Sequence, residues 1–120
     1  MTPQLIEKRT RDVRTFTVDC RGVLNQNEQI VAVSTILIDS GGITFSSVLV
    51  NTAPLPLYDA NGSAFDTIPI GRGFQAVFSG GVIPPASPWS ICIVRAQLQT
   101  NQNANVEATF GVKLLDNPSF

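Results

Sequence analysis

Between Asn105 and Leu115 every second residue is apolar: Val106, Ala108, Phe110, Val112 and Leu114 alternate with Glu107, Thr109, Gly111 and Lys113. Successive side chains of an extended chain point to opposite faces, so a period of two sorts these residues into one dry face and one wet face. The stretch predicts a strand packed on one side and solvated or contacted on the other, as in an antiparallel sandwich.

The same rhythm recurs upstream. Residues 1–12 hold little apolar periodicity beyond Leu5 and Ile6 and read as an N-terminal arm, with a single β-sandwich domain over residues 13–120. A first strand is expected over about 13–20, where Phe16, Val18 and Cys20 share a face. After the turn Asn25-Gln-Asn-Glu28 a second strand runs over about 29–38. Both of its faces are apolar near its end, which reads as a central or covered strand. Asp39-Ser-Gly-Gly42 marks a turn, because glycine tolerates positive φ. The β-branched run over 43–50 follows as a third strand. Alternation returns at Phe74, Ala76 and Phe78, again from Trp89 to Thr100, and last at 105–115. No window carries a helical period over a useful length.

Residues 51–72 interrupt the pattern. Pro54, Pro56 and Pro69 remove backbone donors and Asp59-Ala-Asn-Gly62 is a turn, flanked by Leu55, Leu57, Tyr58, Phe65, Ile68 and Ile70. A connection of this length in a compact domain is usually functional or a protruding hairpin. We read it as a hairpin-like excursion.

Composition narrows the function classes. Only 14% of the 120 residues are charged, and polarity comes mostly from Asn, Gln, Ser and Thr. A lightly charged surface repels copies of itself weakly, which suits a chain built into an assembly. With a net charge of −1, attraction to nucleic acid or to an acidic membrane is not expected. Residues 7–21 nonetheless carry five basic and three acidic side chains, a surplus of +2 that reads either as a docking arm or as a solvated strand. Cys20 and Cys92 are too few for a disulfide scaffold and are expected to be buried thiols, and no apolar run is long enough to span a membrane.

The chemistry of catalysis is sparse. The chain has no histidine, which removes the Ser-His-Asp and Cys-His nucleophile systems, and two cysteines cannot hold zinc alone. Asp59 and Asp66 are conceivable as a carboxylate pair, or with Asn61 as calcium ligands, but read more simply as turn residues. Tyr58, Phe65 and Trp89 are candidates for a sugar- or base-stacking platform, with Trp89 otherwise opening and capping a core strand. No catalytic, metal or cofactor site is expected.

Several short elements fall in a familiar order. They are Lys8-Arg-Thr-Arg-Asp12, Phe16-Thr-Val-Asp-Cys20, Leu24 before the polar turn to Asn27, and Glu28-Gln-Ile30. Phe78-Ser-Gly-Gly81, the polar turn near Thr100 and Glu107-Ala-Thr-Phe-Gly-Val-Lys-Leu114 follow. This order, over residues 8–116, resembles a family of small tailed-phage virion proteins, Ig-like β-sandwiches of the fibre–tail adaptor type. The excursion is longer here than in such proteins.

The residue pattern together with the resemblance leads to an expected all-β, Ig-like antiparallel β-sandwich of about six to eight strands, with the long hairpin-like excursion as a departure from the family. The resemblance implies a non-enzymatic role as a structural component of a virion, made in the host cytoplasm. There the protein links tail or neck to a fibre or neighbouring subunit as a rigid adaptor. Expected partners are a tail adaptor or nozzle ring, a tail fibre and further symmetric copies, with no nucleic acid and no membrane. A carbohydrate-binding module and a head decoration protein are the alternatives. The expected protein-interface residues are Arg9 and Arg11 in the arm and Leu57, Tyr58, Phe65 and Ile68 in the excursion.

Overall fold

The alternating C-terminal stretch is the hub of the pairing in a computed structural model, which describes residues 5–39, 41–59, 61–85 and 87–115. The chain forms nine strands among these residues: β1 (Leu5–Arg9), β2 (Arg14–Asp19), β3 (Ile30–Ile38), β4 (Ile43–Val50), β5 (Leu55–Tyr58), β6 (Ala64–Ile68), β7 (Gly73–Gly80), β8 (Trp89–Thr100) and β9 (Asn105–Leu115). A short 3-10 helix, Arg21–Val23, links β2 to the β3 turn. β8 and β9 pair antiparallel without a register break, from Trp89 opposite Leu115 to Gln99 opposite Asn105. Their tip turns through Asn103 at φ 56, a left-handed conformation that asparagine tolerates better than most residues.

Two sheets enclose the core. One has the order β1-β9-β8-β3 and the other β2-β7-β4, while β5 and β6 form a separate two-stranded sheet. If the hairpin is set aside and the other strands are lettered in chain order, the smaller sheet is B-E-D. Strands G, F and C lie side by side in the larger one. That partition is the immunoglobulin sandwich. The first strand lies beside G, parallel to it, with Leu5 opposite Gly111 and Arg9 opposite Leu115.

The inner faces meet through aromatic rings. Phe78 of β7 stacks on Phe110 of β9, with centroids 6.2 Å apart and planes within 1°. Phe74 meets Phe110 edge-on at 6.5 Å, and Phe16 of β2 lies 5.5 Å from Phe78. Ala108, Phe110, Val112 and Leu114 are all buried, as the alternation requires. Both thiols are buried and neither is in a disulfide. Cys20 follows β2 beside Arg72, at the end of the sandwich where Ile30 pairs with Thr100. Cys92 lies eight residues before Thr100 on β8, roughly 26 Å of strand away. Burial, with a smaller contribution from the Asp19 charge, pushes the Cys20 thiol up to about 12.

Three sequence expectations change. Residues 5–9, read as part of the arm, form β1; residues 1–4 of that arm, and residues 116–120 of the expected domain, lie outside the described residues. Ile6 and Lys8 point inward. Lys8 is only 2% exposed, and its ammonium donates to the carbonyls of Gly80, at 2.6 Å, and Arg9, at 2.8 Å. Burial pulls its pKa below the ordinary lysine value despite the nearby Asp12 charge. β3 is an edge strand rather than a central one; Val31 and Leu37 of its second apolar set are exposed, while Val33 is partly buried against the core. Trp89 opens β8 as expected, yet it faces out under the Lys113 ammonium, 5.2 Å from the ring centroid, and caps no core.

Because Phe110 touches two rings of the opposite sheet, Phe110→Ala should lower unfolding stability by about 3–5 kcal/mol. Urea denaturation measures this; a loss under about 1 kcal/mol would mean that the stack does not couple the sheets.

Candidate functional site

β5 and β6 pair from Leu55 opposite Ile68 to Tyr58 opposite Ala64 and pair with neither large sheet. Pro56 is tolerated in β5 because both strands of a two-stranded sheet are edges. The turn is closed by Asp59, whose carboxylate accepts the amides of Asn61 and Ser63 at 2.9 and 3.0 Å. Gly62 completes it at φ 81. A lone two-stranded hairpin is marginal in water. Something must brace this one.

Three contacts do so. Ile68, fully buried, packs its side chain beside Gly73 at the start of β7. Asn51, at the entry to the excursion, donates its side-chain amide to the carbonyls of Ala53 at 3.0 Å and Pro69 at 2.9 Å. The same side chain accepts the Gly73 amide at 3.2 Å, and the Asn51 backbone exchanges bonds with Gly71 and Gly73. One buried residue thus ties the way in to the way out. Arg21 supplies the third contact from outside. Its guanidinium donates to Asp19 at 2.8 Å, to Asp66 of β6 at 2.6 Å and to the Thr67 carbonyl at 3.2 Å.

The Arg21 clasp sets the local electrostatics. Asp19 is partly desolvated, which opposes its charge, but the Arg21 hydrogen bonds outweigh this and hold it below the usual carboxylate range. Asp66 is likewise held low, chiefly by Arg21 and then by the Thr67 amide. Arg21 itself is raised by its hydrogen bonds to both carboxylates.

Between the braced hairpin and the sandwich lies a groove of about 650 Å³. Leu57, Tyr58 and Phe65 line its hairpin side, and Val18, Val23 and Phe110 its sandwich side. Tyr58 and Phe65 are 62% and 65% exposed.

The expected interface residues therefore divide. Leu57, Tyr58 and Phe65 sit together on the hairpin, with Leu57 half-buried. Ile68 is a correction: at 0% exposure it is an anchor of the hairpin and offers no surface to a partner. Arg9 and Arg11 are exposed at the opposite end, where Arg9 lies level with Leu115 and Trp89. The three-aromatic platform is not assembled either. Trp89 is level with Leu115, whereas the groove lies along Glu107 to Phe110, five to eight residues and roughly 17–26 Å along β9. Asp59 and Asp66 each hold local backbone amides, and among the described residues no group of three or more His, Cys, Asp or Glu side chains could hold a metal ion.

Sequence reasoning missed the residues that brace the site. Asn51 and Arg21 match no motif, and their only signal is position, at the mouth of the excursion and after β2. Glu28 was read as a turn residue; buried, it accepts the Thr100 hydroxyl at 2.6 Å and the Asn25 amide at 2.9 Å.

Comparison of the chain with family models, with curated proteins and with solved structures found no match in any of the three. Among the described residues no helix is long and apolar enough to cross a membrane.

Two outcomes follow from the brace. Asn51→Ala leaves the buried Gly73 amide and the Pro69 carbonyl without their partner and should cost about 1–3 kcal/mol in urea denaturation. Both clasp carboxyls have folded-state pKa values below the unfolded value of about 3.9. Their stabilisation is therefore complete above that value and is lost as pH falls through the lower folded values. Hydrogen exchange in residues 55–68 should accelerate in that acid window. Arg21→Gln should exchange faster at neutral pH and lose most of the acid response; an unchanged acid response would remove the clasp from the account.

Proposed function

We propose that this protein is a structural component of a tailed-phage virion, a rigid adaptor that links tail or neck to a fibre or a neighbouring subunit. The observation that carries the reading is the exposed aromatic pair Tyr58 and Phe65 on a braced hairpin. Large aromatics in solvent work against solubility unless a partner covers them, and aromatic residues are enriched at protein interfaces. Holding them on a fixed hairpin lowers the entropy lost on docking.

Three further features support it. The sandwich topology is the one the family resemblance implies. The surface is lightly charged and also exposes Val13, Val31, Leu37, Leu49 and Val82, which suits a chain surrounded by neighbours in an assembly. The basic residues Arg9 and Arg11 lie at the other end of the sandwich, so two separate surfaces are available to two partners, as an adaptor needs.

The test is direct. Particles purified from the source culture should contain the protein by mass spectrometry, and antibody raised against the domain should label the tail or neck region. A Tyr58→Ser, Phe65→Ser double variant should fold normally by circular dichroism yet be reduced about tenfold or more in particles. Absence of the native protein from particles would overturn the proposal, and full incorporation of the double variant would remove the hairpin from it.

A further inference from the structure

The two ends of this molecule differ in charge and both expose apolar side chains. Residues 51–70 hold two acidic side chains, Asp59 and Asp66, and no basic one; Arg21 bridges Asp66 to Asp19, so these four groups leave the hairpin end net negative by two. At the other end Arg9, Arg11 and Arg14 are exposed against one acidic side chain, Asp12, which pairs with Arg14 at 3.1 Å, while Lys8 is buried and presents no surface charge. The hairpin end exposes Tyr58 and Phe65, and the opposite end exposes Val13, Val82 and Trp89, at 67%, 67% and 47%. These three flank the ends of different strands. Val13 precedes β2, Val82 follows β7 beside Gly41, and Trp89 opens β8. The distance between the ends is set by β7, whose first residue is bonded to Asn51 and whose sixth, Phe78, lies opposite Arg14. The molecule is 48 Å in its longest dimension.

We infer that the hairpin of one copy docks on the basic, apolar end of a second copy, giving head-to-tail self-association. This rests on the reading of the hairpin as a docking arm and names its partner. The acidic hairpin and the basic end attract one another across separate molecules, while two hairpins or two basic ends repel. Tyr58 and Phe65 then cover Val13, Val82 and Trp89, so each end shields the other's apolar surface. Such a contact is heterologous: it joins two different surfaces, leaves one of each free, and closes into a ring or continues as a filament. An isologous pairing of hairpin on hairpin would instead bring like charges together. The small number of charges makes the attraction modest and strongly salt-dependent, with the apolar contacts supplying most of the affinity.

The experiment uses the full chain in sedimentation velocity, from dilute to millimolar protein, at low and high salt. Concentration-dependent association that weakens with salt is expected. Phe65→Asp, at the hairpin, and Val82→Asp, at the basic end, should each weaken it by about tenfold or more. Both sites are exposed, and circular dichroism confirms that each variant folds; Tyr58→Ser and Val13→Ser repeat the test without adding charge. Mixing the two Asp variants decides the geometry. Each retains the surface the other lacks, so the mixture should form one-to-one pairs and nothing larger. A native protein that stays monomeric overturns the inference, as does association untouched by both variants or a mixture that fails to pair. If the native chain is monomeric but Phe65→Asp is still lost from particles, the docking arm stands and only its assignment to a second copy falls.

Discussion

Contact between Phe110 and Phe78 is the constraint on which the two sheets depend, because it is where β9 of one sheet meets β7 of the other ring to ring. Phe110 stands midway along a strand whose inner face is apolar at every second position, and Phe78 ends the buried alternation Phe74, Ala76, Phe78 on β7. Stacked rings fix the register of one sheet over the other as well as its distance. A one-residue slip of β9 would turn Phe110 outward and present Gly111 or Thr109 to Phe78. The uninterrupted pairing of β8 with β9 then carries that register to β3, and the parallel pairing with β1 carries it to the first strand. The whole larger sheet is positioned by one strand.

Once the sandwich is fixed, the hairpin is an added element that needs its own anchors, and they differ in kind. Ile68 contributes burial, Asn51 satisfies backbone groups where the chain turns out of β4 and back into β7, and Arg21 links carboxylates across the surface. The first two act in dry surroundings, where losing a partner is expensive. The third is partly exposed and is screened by solvent and salt. Asn51 and Ile68 therefore hold the base of the hairpin, and Arg21 limits its swing. What remains free is the tip, with Tyr58 and Phe65 carried on it.

Much of the fold was legible because the sandwich strands repeat the simplest signal in protein sequence. Val106 to Leu114 and Phe74 to Phe78 alternate cleanly, and β9 and β7 lie where that alternation predicts. β1 was illegible because only Ile6 and Lys8 face inward on it, and a lysine at a core position reads as solvated. The burial of Lys8 depends on the Gly80 carbonyl, seventy-two residues away, which no local pattern reveals. β3 misled for a related reason. Register shifts between Ile30 and Ala32 and between Val33 and Thr35 break its period, so its apolar residues do not sort onto two clean faces. For the site, the turn at Asp59 and the prolines disclosed the excursion, and exposed aromatics beside a turn disclosed its tip. Ile68 was misassigned because sequence does not tell which apolar residue of a short hairpin faces the parent domain. Arg21 and Asn51 brace the hairpin through contacts with residues up to 46 positions away, and their side chains carry no spacing signature.

The free edges of the sheets bear on how such a domain could meet another chain. An unpaired edge strand is a template for another chain, and natural sheets blunt it. Here β3 carries two register shifts, and β4 carries one between Ser46 and Leu49, where Ser47 turns to φ 54. Both devices twist donors and acceptors out of line with an incoming strand. β2 has only six residues with Arg14 and Asp19 at its ends, and β1 has five with Glu7 and Arg9 facing outward. None of the four edges offers a long, flat, apolar strand. Contact by strand addition is thereby disfavoured at the edges of the two large sheets, so another chain would meet side-chain surfaces there. On those surfaces the braced hairpin carries the exposed aromatic pair Tyr58 and Phe65.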